Sequence, residues 1–405
     1  MKTILIISTL DTKGVETFYL RDKIKELGKI PVIIDISMRL AEGMIADISP
    51  SKVAEAGGNS FEEILTSRER AKNTAIMTKG AAILALNMWK EGKLDGIIGI
   101  GGSTGSLMAT DVMRALPFGV PKVMISSTAA LPGMSTRYID TGDIALIHSV
   151  VEISGLSDVL KNVIDRGAYA ICGMAEVVGL KTKKGKGKKK AIALTMLGPC
   201  EKCASTVREM LEKNGYQVIG FSAAGIGDRA MEAMIEQGFF DGVIDLAPGA
   251  VIEHIVGGMR DAGPNRLEAA GKAGIPQIVS TCGVNHITPP KSKYTDDLKM
   301  RRKYDLDKFR TWLRASPEEL KLAANVFAEK LNKSEAPVKA IIPLKGWSSV
   351  DTPGSVTHDP EEDRIFIKEL RKGLKPEYEI IEVDANMEEP QFAQAIVNAS
   401  LELFK

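Results

Sequence analysis

Short apolar runs alternate, through the first 180 residues, with stretches whose apolar residues recur every three or four positions. Thr3–Ser8, Pro31–Ile36, Gly96–Ile100 and Lys122–Ser126 are rich in Ile and Val and show no apolar–polar alternation. Such strands are buried on both faces, which predicts a parallel sheet covered by helices. Val15–Leu27, Asn73–Glu91 and Ser106–Leu116 carry the helical period between them, giving repeated β-α-β units.

The same rhythm restarts at residue 191. Ala191–Met196, Gln217–Phe221, Gly242–Asp245 and Pro276–Ser280 read as strands, and Ala204–Asn214, Arg229–Gln237 and Val251–Gly257 as helices. A long helix follows at about Pro317–Asn332, then a strand at Val338–Pro343, a loop at Lys345–Pro360, a helix at Glu361–Lys372, a strand at Glu379–Val383 and a last helix at Pro390–Leu403. The pattern predicts an α/β protein of two consecutive Rossmann-like domains, each a parallel sheet with helices on both faces. Between them, Lys181–Lys190 is almost entirely Lys and Gly and has no apolar surface to bury, so it reads as a linker. The expected division is 1–180, 181–190 and 191–405. A length of 405 residues agrees, since one core stops growing at roughly 250–300.

Charge narrows the partners. Fifty-three basic and fifty-two acidic side chains leave a net charge of +1, so no global field draws the chain to nucleic acid or to an anionic membrane. The opening apolar run is broken by Asp11 and Lys13, too early for a secretory signal, and no run reaches the roughly 20 apolar residues of a membrane span. Four cysteines are too few for a disulfide scaffold, and together these features predict a cytoplasmic protein. Strand edges and apolar helices suggest a homo-oligomer.

In open parallel sheets, ligands bind beyond the carboxyl ends of the strands, so the strand-end loops rank first as candidate sites. Gly101, Gly102 and Gly105 let backbone amides approach an anion, Ser103 and Thr104 add hydroxyls, and a helix N-terminus follows. Asp11, Thr12 and Lys13 take the same place after the first strand. Asp11 reads as a helix cap, and a cation beside a helix N-terminus calls for an anion, which a phosphate would supply. Asp35 and Ser37 end the second strand, where a carboxylate can accept a ribose hydroxyl, and Ser126, Ser127 and Thr128 end the fourth. Asp140 and Asp143 are candidates to hold magnesium.

The combination of Leu10-Asp11-Thr12-Lys13-Gly14, Ile100-Gly101-Gly102-Ser103-Thr104-Gly105, Arg114-Ala-Leu-Pro117 with Gly119-Val-Pro-Lys-Val123, and Ser149-Val-Val151 with Gly155-Leu156 closely resembles the ATP-binding domain family typified by the tomato mosaic virus resistance protein. Most bacterial members form an uncharacterised protein family. The resemblance continues through Gly225–Glu232, Asp241–Asp245, Gly346, Asp351 and Asp359-Pro360, and departs at Cys282–Thr288 and near Leu306-Asp307-Lys308. It implies ATP in the first domain, held at Asp11, Thr12, Lys13 and the Gly101–Gly105 loop.

The second domain offers less specific chemistry. Cys200 and Cys203 fall at a helix start, where a thiol pKa is lowered; they read first as two small residues there, and with Cys282 and His286 they would make a Cys3His zinc site if that loop came close. Cys203 with His286 as base is a nucleophile–base alternative. The Ser222–Arg229 loop reads as an anion site in which Arg229 forks onto the ligand and Asp228 either contributes or caps the helix. His286 and His358 lie in loops and are candidates for proton transfer. Arg310 and Arg314 are four apart on an expected helix. The leading expectation is an ATP-binding enzyme, kinase or ligase in type, that uses magnesium and a small anionic substrate in the cleft between domains. A nucleotide-responsive interaction protein without turnover, and a hydrolase or lyase built on Cys203, Cys282 and His286, are the alternatives.

Overall fold

The computed structural model describes residues 1–177, 189–308 and 310–405; positions 181–188 of the expected linker lie outside them. The chain divides into two compact units, Met1–Lys181 and Thr182–Lys405, each with its own parallel sheet.

The first unit runs β1 Thr3–Ser8, α1 Leu10–Glu26, β2 Ile30–Asp35, α2 Pro50–Gly57, α3 Phe61–Thr66, α4 Arg70–Lys90, β3 Gly96–Gly101, α5 Ser103–Ala115, β4 Lys122–Ser126, α6 Met134–Ile139, β5 Ala145–His148 and α7 Asp158–Met174. The strands lie in the order β2-β1-β3-β4-β5, all parallel. Unbroken apolar runs form these strands because successive residues enter different cores. Ile4 and Ile6 pack with α1 and α7, whereas Leu5 and Ile7 pack with α2, α4 and α5 on the other face. The order reverses between β1 and β3, so their outgoing loops flank the crevice where such sheets bind ligands.

The second unit repeats the plan with β6 Ala191–Met196, α8 Glu201–Lys213, β7 Gln217–Ser222, α9 Ile226–Glu236, β8 Gly242–Asp245, α10 Ala250–Val256, α11 Ala269–Lys272 and β9 Gln277–Val279. An excursion follows, made of β10 His286–Ile287, α12 Asp296–Met300, β11 Lys303–Asp305 and β12 Thr311–Arg314. The sheet is completed by α13 Pro317–Leu331, β13 Val338–Pro343, α14 Pro360–Gly373, β14 Glu379–Val383 and α15 Pro390–Leu403. Its order, β14-β13-β9-β8-β6-β7, is that of the first unit with a sixth strand added, and β10-β12-β11 form a separate antiparallel sheet.

That small sheet corrects the expected helix at Arg310 and Arg314. Thr311–Arg314 is a fully buried strand paired on both sides, and Arg314 is buried because carboxylates surround it. The apolar period is too short there to signal either element. Ahead of the expected helix a short turn begins at Leu10, with Thr9 and not Asp11 preceding it, and a kink at Lys13, whose backbone is not helical (φ −130°, ψ 22°), separates that turn from the rest of α1.

Candidate functional site

A cavity of about 650 Å³ opens at the carboxyl edge of the first sheet, beside the β1/β3 reversal. Gly102, Ser103, Thr104 and Gly105 line it, opposite Thr9, Asp11, Thr12 and Lys13. The N-terminus of α5 has no side-chain cap, and the amides of Ser103, Thr104 and Gly105 donate to no group among the described residues. Those amides carry the positive end of a 13-residue helix into the cavity. The glycines keep the space open: a Cβ on Gly105 would meet only the Thr9 hydroxyl at 3.9 Å, and one on Gly102 only that of Ser127 at 3.8 Å.

The two strand-end loops are not equivalent. At α1, Asp35 accepts from the amide of Leu10, and the Ser37 hydroxyl accepts from that of Asp11. Asp35 and Ser37 are 2% and 0% exposed, and the Ser37 hydroxyl also donates to Asp35. Burial pushes the Asp35 carboxyl up, against the hydrogen bonds that hold it down. The expected ribose acceptors are therefore internal supports of the β1–α1 turn. Lys13 lines the cavity, but its ammonium donates to the carbonyl of Ile153 and lies 3.8 Å from Glu152. Lys13 thus has a carbonyl and a carboxylate of the chain beside it.

Ser126, expected among the ligand hydroxyls, is fully buried and joins Ser106 at 2.7 Å and Thr128 at 3.2 Å, and Thr128 in turn meets the Tyr138 hydroxyl. Ser126 pairs with Gly101 beneath the loop, and the Ser127 hydroxyl lies beside Gly102. The candidate magnesium ligands are displaced further. Asp143 pairs with the buried ammonium of Lys122 at 2.6 Å and accepts from the amide of Gly119. Lys122 opens β4, aligned with Ile97, while the glycine loop follows Gly101, so Asp143 sits at the opposite edge of the sheet. Asp140 follows α6, whose carbonyls at Arg137 and Tyr138 accept from Arg114 near the far end of α5.

In their place the cavity has three arginines that the sequence reading passed over: Arg39, Arg68 and Arg70. All three are exposed, and Arg70 donates to the Thr104 hydroxyl at 3.3 Å. Arg39 follows β2 by four residues, and Arg68 and Arg70 stand at the start of α4. The signal available was the Ser67-Arg68-Glu69-Arg70 run just before a long helix. Met38, Ile64 and Leu65 add an apolar wall.

In the second unit, Asp228 is buried, accepts from the amide of Gly225 and pairs with Arg266 at 2.9 Å. Arg266 also pairs with Glu232 and Asp245, making a sealed cation with three carboxylates, not a ligand site. Arg229 stays exposed on the outer turn of α9. Cys200, Cys203 and Cys282 share one apolar core, and burial pushes the Cys203 thiol far up, the reverse of the expected lowering. A thiol that burial holds protonated is not poised as a nucleophile. His286 does not join them, and no group of three or more candidate ligands that could hold a metal occurs among the described residues.

His286 belongs instead to a buried polar cluster. The Asn285 amide donates to Asp351 at 2.8 Å and to Asp363 at 3.1 Å, so its oxygen is left to accept from His286 Nδ1 at 2.7 Å. Burial holds the His286 ring neutral, with its pKa lowered to about 3, and Nε2 has no partner. Burial likewise raises Asp363 to about 7 despite Arg314, whose guanidinium lies 2.6 Å away.

These features define a protein of two successive parallel α/β units with an anion-suited cavity at the strand reversal of the first. The chain belongs to an uncharacterised protein family (UPF0261): residues 2–179 match its N-terminal domain and 189–404 its C-terminal domain. A UPF0261 protein of Clostridium tetani is 35% identical over 406 residues, spanning 100% of this chain and 99% of that one. One from Brucella suis is 33% identical over 392 residues, 96% of this chain and 93% of that one. The ToMV resistance protein Tm-1(GCR237) of Solanum lycopersicum is 31% identical over 427 residues, covering 99% of this chain and 55% of the plant protein. No helix among the described residues is long and apolar enough to cross a membrane.

Proposed function

We propose that the first unit binds ATP, with the phosphates at the N-terminus of α5 and the arginines around it. The observation that carries this reading is the pairing of uncapped α5 amides with Arg39, Arg68 and Arg70 in one cavity. Helix-end amides and guanidinium groups both hold phosphate oxygens well, the first through the helix dipole and the second through paired N–H donors. The apolar wall of Met38, Ile64 and Leu65 suits a base, and about 650 Å³ lies in the range of small-ligand sites. Asp11 lines the same space and is the carboxylate available to a magnesium ion carried in on the phosphates.

Calorimetric titration of the full chain with ATP, with and without magnesium, tests the assignment. Saturable binding that weakens about tenfold or more in Arg68→Ala/Arg70→Ala supports it. Binding unchanged in that variant sinks it. Phosphate release with and without sugar acids then separates a kinase or ligase from a protein that only responds to the nucleotide.

A further inference from the structure

The loop from β13 to α14 folds back so that His358 Nδ1 lies 2.8 Å from Asp351 Oδ1. Asp351 is fully buried, and its other oxygen accepts from the Trp347 amide and from Asn285 Nδ2, each at 2.8 Å. Gly346, at φ 118°, makes this turn possible, since a Cβ there would fall 1.9 Å from the Asp351 carbonyl oxygen. A carboxylate only accepts, so Nδ1 of a neutral His358 carries the proton and Nε2 presents its lone pair. Nε2 makes no hydrogen bond among the described residues, and the side chain is 14% exposed, which leaves that edge reachable.

A second observation points to a guest. Ser280 and Thr281, directly after β9, and Ser348 and Thr357, in the β13–α14 loop, are each 2% exposed or less and their hydroxyls have no partner; His286 Nε2 is in the same condition. Protein interiors pair nearly all such atoms. The four hydroxyls belong to loops at the carboxyl edge of the six-stranded sheet, where parallel sheets hold ligands, while His286 lies in β10 of the small antiparallel sheet. The nearby guanidinium groups are already answered: Arg260 by Glu253, Arg302 by Asp359 and Glu362, and Arg314 by Glu362 and Asp363. With hydroxyls unpaired and cations neutralised, the surroundings suit a neutral, hydroxyl-rich compound better than an anion.

We propose that the second unit binds a small neutral polyhydroxylated compound at this edge, and that His358 Nε2 accepts a hydrogen bond from one of its hydroxyls. That is the contact from which a general base withdraws a proton, with Asp351 as the positioning residue. The proposal uses no residue of the nucleotide cavity and stands apart from it.

The test uses the full chain with 15N-labelled histidine, whose four histidines are resolvable by long-range 1H–15N spectra. The probes are glycerol, erythritol and ribitol, with ribonate as the anionic counterpart. The expected result is an Nδ1–H tautomer at His358 and a saturable shift of its Nε2 resonance with at least one polyol, absent in His358→Gln. Asp351→Asn should mix the tautomers; if that variant does not fold, the polyol titration of the native chain against His358→Gln decides alone. A proton on Nε2 of neutral His358, no shift with any polyol, or a shift with ribonate only would overturn the proposal.

Discussion

The guanidinium of Arg70 reaches across from the first turn of α4 to the hydroxyl of Thr104 in the first turn of α5, 3.3 Å away. It joins two elements 34 positions apart and sets a cation at the mouth of the glycine loop. Arg70→Ala is expected to weaken ATP binding about tenfold and to flatten its salt dependence, with little change in Tm, because the residue is exposed. Calorimetry at two ionic strengths checks this; an equal loss at both would remove Arg70 from the charge contacts.

Gly105→Ala should separate fold from function. Gly105 sits in the first turn of α5 without positive φ, and a Cβ there meets nothing closer than 3.9 Å. Replacing glycine by alanine within a helix gains up to about 1 kcal/mol, so the variant should be as stable or more so. The added methyl enters ligand space, and ATP affinity should fall. Urea unfolding beside an ATP titration reads both.

Arg266→Met is expected to cost about 3–5 kcal/mol or to prevent folding. It strands Asp228, Glu232 and Asp245 in the interior, and burial already pushes the first two carboxyls up with the arginine present. Denaturant unfolding measures this, and a loss below about 1 kcal/mol would show that the cluster is not sealed.

Asp363 couples stability to pH in a stated direction. Its ordinary value of 3.8 is raised to about 7 in the folded chain, so the folded form keeps a proton that the unfolded form releases between these values. Its contribution is complete below about pH 4 and is lost as pH rises through 7, by at most about 1.4 kcal/mol per pH unit. Asp363→Asn should lack this slope. Unfolding free energies of both proteins at pH 5 and pH 8 compare them, and parallel changes would contradict the assignment.

All four cysteines are free and buried. A thiol reagent at pH 8 should label none of them rapidly in the folded chain and all four after unfolding, and Cys203→Ser should leave ATP binding intact. Fast native labelling of Cys203 would restore the reactive-thiol reading.

The amino-acid sequence by itself determined the two parallel α/β units, though not the small antiparallel sheet of β10, β11 and β12. Ile4–Ile7 and Gly96–Ile100 declare doubly buried strands because burial on both faces is a property of consecutive residues. It also marked the Gly101–Gly105 loop, whose small side chains suit close approach wherever the rest of the chain lies. Only the tertiary structure decided where each polar side chain points. Lys13 is committed to a carbonyl 140 positions away, Asp35 to an amide 25 positions back, and Asp143 to a lysine at the far edge of the sheet. Arg39, Arg68 and Arg70 meet the glycine loop because β1 lies between β2 and β3. Apolar periodicity is local, but the partner of a charge depends on strand order, which hydrogen bonds between distant segments establish.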